Sequence, residues 1–156
     1  MEIQADSLEE VSKFSADEAY RKIGRPLLVD DSGMFIAALN GFPGVYSAST
    51  LSTIGNKGIL KLMEGVKNRK AYFKCCVSFH DGKRIRPFTG IVRGTLLHEE
   101  RGAKGFGYDP IMSPEGYSGK SMAEVSMAEK NLISHRGKAF DKFFKWYSDE
   151  AKGRRK

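Results

Sequence analysis

Two hydrophobic periodicities divide the chain into predicted helices and strands. After Ser7 in the sequence, the apolar residues Leu8 and Val11 are three positions apart, which places them on one face of a helix. Ser7 and Glu10 have the spacing of a capping box, and Gly24 is typical of a helix end. The pattern predicts a helix that begins after Ser7 and stops at Gly24.

Residues 71–79 alternate between apolar and polar side chains, which is typical of a strand with one buried face. Residues 80–83 have turn composition and residues 85–96 return as a partner strand, so together they predict a β-hairpin. Pro87 has no backbone donor, and we therefore expect it at a sheet edge or a bulge. The apolar run at residues 27–29 predicts the end of a buried strand.

Three further segments complete the secondary-structure prediction. Residues 58–64 carry apolar side chains on one face and predict a short helix, whereas residues 40–44 have turn composition. Ser126, three positions before a glutamate, starts a second capping box. The last helix is predicted for residues 137–150, where aromatic side chains form a face that we interpret as core packing. This order of helices and strands predicts an α/β fold.

Length and charge narrow the function classes. A chain of 156 residues with 40% hydrophobic residues is expected to form one globular domain, which we assign to residues 1–150. The formal net charge of +7 favours polyanionic partners such as nucleotides or nucleic acid. Part of this charge belongs to residues 151–156, a basic tail that we expect to lack fixed structure.

The chain contains no pattern of export or membrane insertion. No apolar run is long enough to span a bilayer, and the N-terminus lacks a signal-peptide pattern. Cys75 and Cys76 are adjacent, so on a strand they point to opposite faces and cannot form a disulfide with each other. We interpret them as reduced residues of a cytoplasmic protein with no membrane partner.

Asp30 and Asp31 place two like charges directly after the predicted strand in the sequence. Carboxylates in this arrangement suit Mg²⁺, which binds proteins through one or two carboxylates together with substrate phosphates. Such a site could also supply a general base for water. The alternative is an Asx turn that caps the strand, and the dipeptide alone does not exclude it.

The segment Gly105 to Pro110 (GFGYDP) is the second candidate site. Glycines allow the backbone to approach a ligand closely, and Phe106 between them offers a flat stacking surface. Asp109 could accept hydrogen bonds from a base edge. An ordinary turn anchored by an aromatic side chain is the alternative.

A third candidate group is basic. Lys130, His135 and Arg136 lie in the string EKNLISHRGKAF. His135 and Arg136 precede the last helix, where cations are poorly matched to the helix dipole, which suggests another role for them. They are donors for acceptor groups on a ligand, or else part of a solvated face.

Four strings in this order, DDSG, GFPGVYSA, GFGYDP and EKNLISHRGKAF, resemble the noncanonical purine nucleoside triphosphate pyrophosphatases. These are the inosine/xanthosine triphosphatases, also called XTP/dITP diphosphatases. The resemblance covers nearly the whole chain. It implies an elongated, two-lobed α/β domain with a central cleft, a twisted mixed sheet and flanking helices. It also implies a homodimer that hydrolyses ITP, dITP and XTP to the monophosphate and pyrophosphate with Mg²⁺.

The resemblance further implies roles for individual residues. Asp31 would be the general base and a metal ligand, and Glu2 in the string MEIQ would help to hold the metal. Phe106 would stack on the purine. The remaining substrate-binding positions would be Asp30, Ser32, Gly107, Tyr108, Asp109, Lys130, His135 and Arg136.

Base recognition follows from the chemistry of the purines. Hypoxanthine and xanthine carry a carbonyl at C6, where adenine carries an amine. A donor from His135 or Arg136 would pair with that carbonyl and would face a second donor in adenine. A buried donor without a partner costs roughly 1–3 kcal/mol, which is about ten- to a hundred-fold in binding or rate.

The sequence departs from the family pattern in two places. The family opens with a strand and a Thr-Gly-Asn-x-x-Lys phosphate loop, which would precede Met1, and many relatives carry a basic residue at the position of Ala48. We therefore expect that the native protein begins upstream of Met1. We also expect the chain starting at Met1 to bind ITP weakly and to hydrolyse it slowly.

Three alternatives to this enzyme remain at this point. The first is an inactive or weakly nucleotide-binding form of the same fold. The second is a Maf-type nucleotide pyrophosphatase, although its own motifs are not seen. The third is a basic nucleic-acid-binding domain, for which no sequence-specific recognition motif is present.

Overall fold

The structure, a computed structural model, describes residues 5–154. The range opens with a helix followed by a strand and has a β-hairpin in its middle, as the sequence predicts. The helices are α1 (Leu8–Ile23), α2 (Ser47–Thr53), α3 (Gly55–Leu62), α4 (Met127–Ile133) and α5 (His135–Arg154). The strands are β1 (Leu27–Ile36), β2 (Lys70–His80), β3 (Ile85–Leu96) and β4 (Met112–Pro114).

The four strands form one sheet in the order β1-β2-β3-β4, and every pairing among them is antiparallel. Asp31 pairs with Cys76 across β1 and β2, and Cys75 pairs with Gly90 across β2 and β3. Directly opposed residues share a face of the sheet. Asp31 and Cys76 therefore lie on one face, and Cys75 and Gly90 on the other.

Helix α1 covers the first of these faces. The Ser12 hydroxyl lies 2.8 Å from the Ser78 hydroxyl, and it donates to the Cys76 carbonyl at 3.2 Å. At the end of the strand, the rings of Tyr20 and His80 stack with centroids 4.1 Å apart. Polar residues on this face of β2 are therefore buried and satisfied by α1.

Two groups of residues share the opposite face. Ala139 of α5 packs on Cys75 and Val77, and all three are fully buried. Nearer β1's C-terminal end, the same face carries a second and larger core. Its buried members include Met34, Ile36, Ile59, Met63, Ala71, Phe73, Val92, Leu96, Tyr108, Ile111, Met112 and Met122. The division leaves room for a cleft between the N-terminus of α5 and the larger core.

The α/β fold predicted from the sequence is confirmed, and so are several elements. Ser7 accepts a hydrogen bond from the Glu10 amide, and Gly24 ends α1 in the left-handed region at φ 68°. The capping box at Ser126 is present in full. Pro87 lies in the part of β3 that pairs with β2 alone, since β4 pairs only with residues 94–96.

Four predicted boundaries were wrong. Strand β1 does not end at residue 29 but continues to Ile36, because Asp30, Asp31 and Ser32 pair with β2 like their neighbours. His80 belongs to β2 rather than to the turn. The helix predicted at residues 58–64 spans Gly55–Leu62.

The fourth correction concerns the C-terminus. Helix α5 begins at His135 and extends to Arg154, so residues 151–154 are helical and not an irregular tail. Within this helix, Phe143, Trp146 and Tyr147 all contact the ring of Phe79. Within residues 5–154, no helix is both long and apolar enough to cross a membrane.

Candidate active site

Strand β1 presents its two aspartates to opposite faces of the sheet. Asp31 lies on the α1 face, where one carboxylate oxygen, Oδ2, is buried and has no hydrogen-bond partner within the described residues. Burial, together with the neighbouring charge of Asp30, raises the pKa of Asp31. A carboxylate that is costly to ionise and lacks a partner suits a general base or a cation ligand.

Asp30 is paired instead with α5. The guanidinium of Arg136 donates to its two carboxylate oxygens, from Nε at 2.9 Å and from Nη2 at 3.0 Å. Two parallel contacts of this kind are the geometrically specific form of an arginine–carboxylate pair. The adjacent aspartates are thus tolerated because they point apart and one of them is neutralised by Arg136.

Beyond Ser32, β1 is packed tightly against the turn that follows it. A side chain at Gly33 would place its Cβ 2.4 Å from the Gly44 carbonyl oxygen, so only glycine fits there. The Ser47 hydroxyl fastens the turn, since it accepts from the Met34 amide at 2.9 Å and donates to the Gly44 carbonyl at 2.7 Å. The string GFPGVYSA therefore builds one wall beside β1.

The GFGYDP segment forms a tight turn that exposes Phe106. Gly105 and Gly107 have φ of 88° and 62°, a region that favours glycine. The Asp109 carboxylate accepts from the Phe106 amide at 3.2 Å and from the Lys130 ammonium at 2.6 Å. The Phe106 side chain itself remains 72% exposed.

Lys130 connects this turn to α4. Its ammonium pairs with the buried carboxylate of Asp109 and also lies 4.8 Å from the centre of the Phe106 ring. A cation at this distance is attracted to the face of an aromatic ring. Lys130 and Asp109 therefore hold the orientation of Phe106.

Tyr108 turns away from solvent into the larger core. Its hydroxyl donates to the Ser47 carbonyl at 2.7 Å, and burial raises its pKa to about 12. The contact joins the GFGYDP turn to the wall beside β1. We therefore describe Tyr108 as a link between two walls of the site.

His135, the first residue of α5, faces the gap between these walls. Its ring lies 5.2 Å from the ring of Phe73, and its Nδ1 is buried with no hydrogen-bond partner in the part of the chain that the structure describes. Burial lowers the pKa of His135 to about 4, against the opposing effect of the Asp109 charge. The imidazole is therefore neutral near pH 7 and retains unused hydrogen-bonding capacity.

These walls enclose a cleft of about 190 Å³. The cleft is lined by residues of β1, β2, α2, the GFGYDP turn and α5. They are Ser32, Gly33, Met34, Ser47, Ala48, Leu51, Phe73, Phe106, Gly107, Tyr108, Asp109 and His135. We call this the base cleft, after the purine base that the resemblance seen in the sequence would place beside Phe106.

The base cleft gathers some of the predicted site residues and not others. Lys130 and Arg136 are beside it and bind Asp109 and Asp30, while Asp31 lies on the other face of β1. Glu2 lies outside the described residues. A larger cleft of about 560 Å³ between Pro26, Trp146 and the end of α5 contains none of the predicted site residues.

Sequence reasoning missed several lining residues, including Ser47, Leu51 and Phe73. Phe73 was predicted only as a buried strand residue, and Ser47 lies within the GFPGVYSA string without a distinct role. Their common signal is weak, because each is an ordinary core or helix residue. Only the approach of α5 and α2 to β1 brings them to one cleft.

One described residue offers a suitable ligand for a divalent cation. Asp31 offers an oxygen that is buried without a partner. Among residues 5–154, no group of three or more histidine, cysteine, aspartate or glutamate residues could hold a metal by itself. Such a site suits a divalent cation that takes most of its ligands from a bound anion and from water.

Comparisons with known proteins agree with the resemblance seen in the sequence. A profile of the Ham1 family matches residues 1–146. A dITP/XTP pyrophosphatase of Saccharolobus solfataricus is 54% identical over 92% of this chain and 74% of the relative. That of Methanopyrus kandleri is 51% identical over 98% of this chain and 81% of the relative.

Solved structures give the same answer for the fold. The Ham1 protein of Staphylococcus aureus is 29% identical and superposes with a TM-score of 0.88, over 96% of this chain and 80% of that protein. Since the profile spans most of the sequence and the relatives above are more than half identical, the chain belongs to the Ham1 family.

Proposed function

We propose that the protein is a nucleoside triphosphate pyrophosphatase that hydrolyses ITP, dITP and XTP to the monophosphate and pyrophosphate. One observation carries the proposal: the exposed ring of Phe106 lines the same cleft as His135, whose Nδ1 is buried without a hydrogen-bond partner among the described residues. The 54% and 51% identity to proteins named dITP/XTP pyrophosphatase supports the same activity.

The purine occupies the base cleft in this proposal. Phe106 stacks on the base, an interaction worth about 1–3 kcal/mol for an aromatic side chain. In this proposal the neutral imidazole of His135 carries its proton on Nδ1, and this N–H donates a hydrogen bond to the C6 carbonyl of hypoxanthine or xanthine. The C6 amine of adenine would leave this buried donor without an acceptor, so ATP is a poorer substrate.

The phosphates extend from the base cleft toward β1, where Ser32 offers a hydroxyl. Asp31, whose side chain lies on the other face of β1 from Ser32, takes the proton of the attacking water, and its raised pKa makes it a stronger base than an ordinary aspartate. When bound, Mg²⁺ would neutralise the phosphate oxygens and the charge that develops on the leaving pyrophosphate. Asp31 is the described residue that would hold it, and Glu2 is proposed as a second ligand.

Arg136 and Asp30 have a supporting part in this proposal. Their ion pair connects α5 to β1 and so holds the base end and the phosphate end of the site at a constant separation. Lys130 acts on the base through Phe106 and Asp109. The predicted homodimer and cytoplasmic location remain predictions, and sedimentation velocity would measure the first of them.

A pyrophosphate-release assay with ITP, XTP, GTP and ATP tests the proposal. We expect Mg²⁺-dependent release of pyrophosphate, and not of orthophosphate, with ITP and XTP preferred over ATP. Orthophosphate release would contradict cleavage between the α- and β-phosphates. Equal or greater turnover of ATP would contradict the assigned base recognition.

A further inference from the structure

Strand β3 meets the first turn of α5 at Gly90 with no space for a side chain. A Cβ at this position would lie 2.1 Å from the His135 carbonyl oxygen and 2.7 Å from the Ala139 amide nitrogen. Both atoms belong to the helix backbone, so rotation of a side chain cannot relieve the overlap. Gly90 does not have a positive φ, and its backbone would accept another residue. Glycine is thus required here because there is no room for a Cβ, and not because the backbone conformation demands it.

Two lysines of α5 bracket this contact. Lys138 donates to the Ile91 carbonyl at 2.9 Å, and Lys142, one helical turn later, donates to the Thr89 carbonyl at 2.6 Å. These carbonyls lie on either side of Gly90, on the stretch of β3 that β4 does not pair with. Among the described residues this edge of β3 has no partner strand, so the lysines provide donors to its carbonyls and at the same time attach α5 to β3.

The attachment of α5 to β3 affects the base cleft, because it fixes the position of His135. His135 is the first residue of α5, and its carbonyl is the atom nearest to the Gly90 position. Its side chain reaches the cleft between Phe73 and the GFGYDP turn. A shift of the first helical turn would move this imidazole by a similar amount.

We infer that Gly90, together with Lys138 and Lys142, is a positioning device that sets the depth of His135 in the base cleft and so determines nucleobase selectivity. This inference rests on the proposed function for its selectivity and on geometry alone for the position of His135. Gly90 touches no part of the substrate. It acts through the helix.

The first test is Gly90→Ala. The His135 carbonyl must retreat by about 1.3 Å to reach ordinary van der Waals distance. Misplacement of this size can cost about a hundred-fold in rate, so we expect kcat/KM for ITP to fall by about that factor. The ITP-to-ATP preference should fall with it. Inhibition by pyrophosphate, which does not contact the base cleft, should be unchanged.

The matched control is Gly137→Ala. Gly137 lies in the same first turn of α5, but a Cβ there would meet its nearest atom at 3.6 Å, an ordinary contact. Alanine also favours a helix more than glycine does. We expect this variant to keep wild-type kcat/KM and selectivity, and a slightly higher melting temperature.

A second readout needs no turnover. The charged groups around His135 are Asp109, Lys130, Arg136 and Lys138, and burial is the main cause of its low pKa. If the first turn retreats in Gly90→Ala, His135 becomes more accessible, and its imidazole resonance in an NMR titration should report a pKa raised from about 4 toward 6.5. Gly137→Ala should titrate like the wild type.

Lys142→Met provides a second test of the inference if Gly90→Ala does not fold. It removes the donor to Thr89 but keeps an unbranched apolar stem, and Lys142 is not among the charges that act on His135. We expect a smaller change in the same direction in both readouts. A folded Gly90→Ala or Lys142→Met protein with wild-type selectivity and an unchanged His135 titration would overturn the inference. Wild-type protein that prefers ATP would instead contradict the proposed function and leave the titration result intact.

Discussion

At the scale of single residues, the site depends on side chains that the fold leaves without partners. Asp31 has a buried oxygen and His135 a buried nitrogen, each with no hydrogen bond among residues 5–154. Buried polar atoms of this kind are costly for folding, and each of the two is therefore a candidate functional group.

The first prediction concerns Asp31. Because burial and Asp30 raise its pKa in the folded protein, the ionised carboxylate destabilises the fold at neutral pH. Asp31→Asn should therefore abolish pyrophosphate release and raise the melting temperature at pH 7, with chelator present. The gain should disappear below about pH 4, where the aspartate is protonated in both states. A melting temperature lower than wild type at pH 7 would contradict this account.

The second prediction concerns Phe106. Loss of base stacking should weaken ITP binding by roughly ten- to a hundred-fold in Phe106→Ala, which calorimetry without turnover can measure. Inhibition by pyrophosphate should not change, since the leaving group does not touch the ring. Phe144→Ala is the control, because Phe144 is also exposed, at 57%, but does not line the base cleft. Equal losses for ITP and pyrophosphate would show that Phe106 supports the fold instead.

At the scale of elements, the GFGYDP turn and α4 act as one unit through an ion pair. The Asp109 side chain is 8% exposed and that of Lys130 is 17% exposed, so water screens the pair only weakly. Asp109 also accepts from the Phe106 amide, and the conformation of the turn depends on this carboxylate.

The third prediction follows from that pair. Lys130→Met should leave a buried carboxylate unpaired and destabilise the protein by roughly 3 kcal/mol in chemical denaturation. Adding Asp109→Asn should recover part of this loss, because the uncompensated charge is removed. Lys57→Met provides a control for the loss of an exposed lysine. Additive losses in the double variant would mean that Lys130 and Asp109 do not stabilise each other.

At the scale of the whole molecule, folding and base recognition are coupled through His135. Its pKa is about 4 in the folded protein and near 6.5 when unfolded, because the folded protein buries the ring. As the pH falls through this window, the unfolded chain takes up a proton that the folded protein does not. Stability is therefore lost between about pH 6.5 and 4.

The fourth prediction concerns stability in this pH range. His135→Gln cannot titrate, so its melting temperature should fall less steeply than that of the wild type between pH 6.5 and 4.5. Above pH 7 the two slopes should coincide, since the imidazole is neutral in both states. Identical slopes across the whole range would show that His135 titrates normally in the folded protein.

Much of the fold follows from local rules in the sequence. The caps at Ser7 and Ser126 depend on side chains within four residues, and the hairpin between β2 and β3 depends on a short turn. The predicted end of β1 was wrong because charged residues are poor strand formers in isolation. Pairing with β2 across the full length of β1 overrides that preference.

The sequence by itself determined the family and the chemical types at the site: two aspartates, an exposed phenylalanine between glycines, and a lysine, a histidine and an arginine in one string. Only the tertiary structure decided which of these groups line the base cleft and which form ion pairs beside it. His135 enters the base cleft while its neighbour Arg136 reaches Asp30, which is 106 positions away in the chain. Adjacent residues on a helix point in different directions, and the backbone of α5 packs closely on β3 at Gly90. That contact joins distant segments, and no local pattern encodes it.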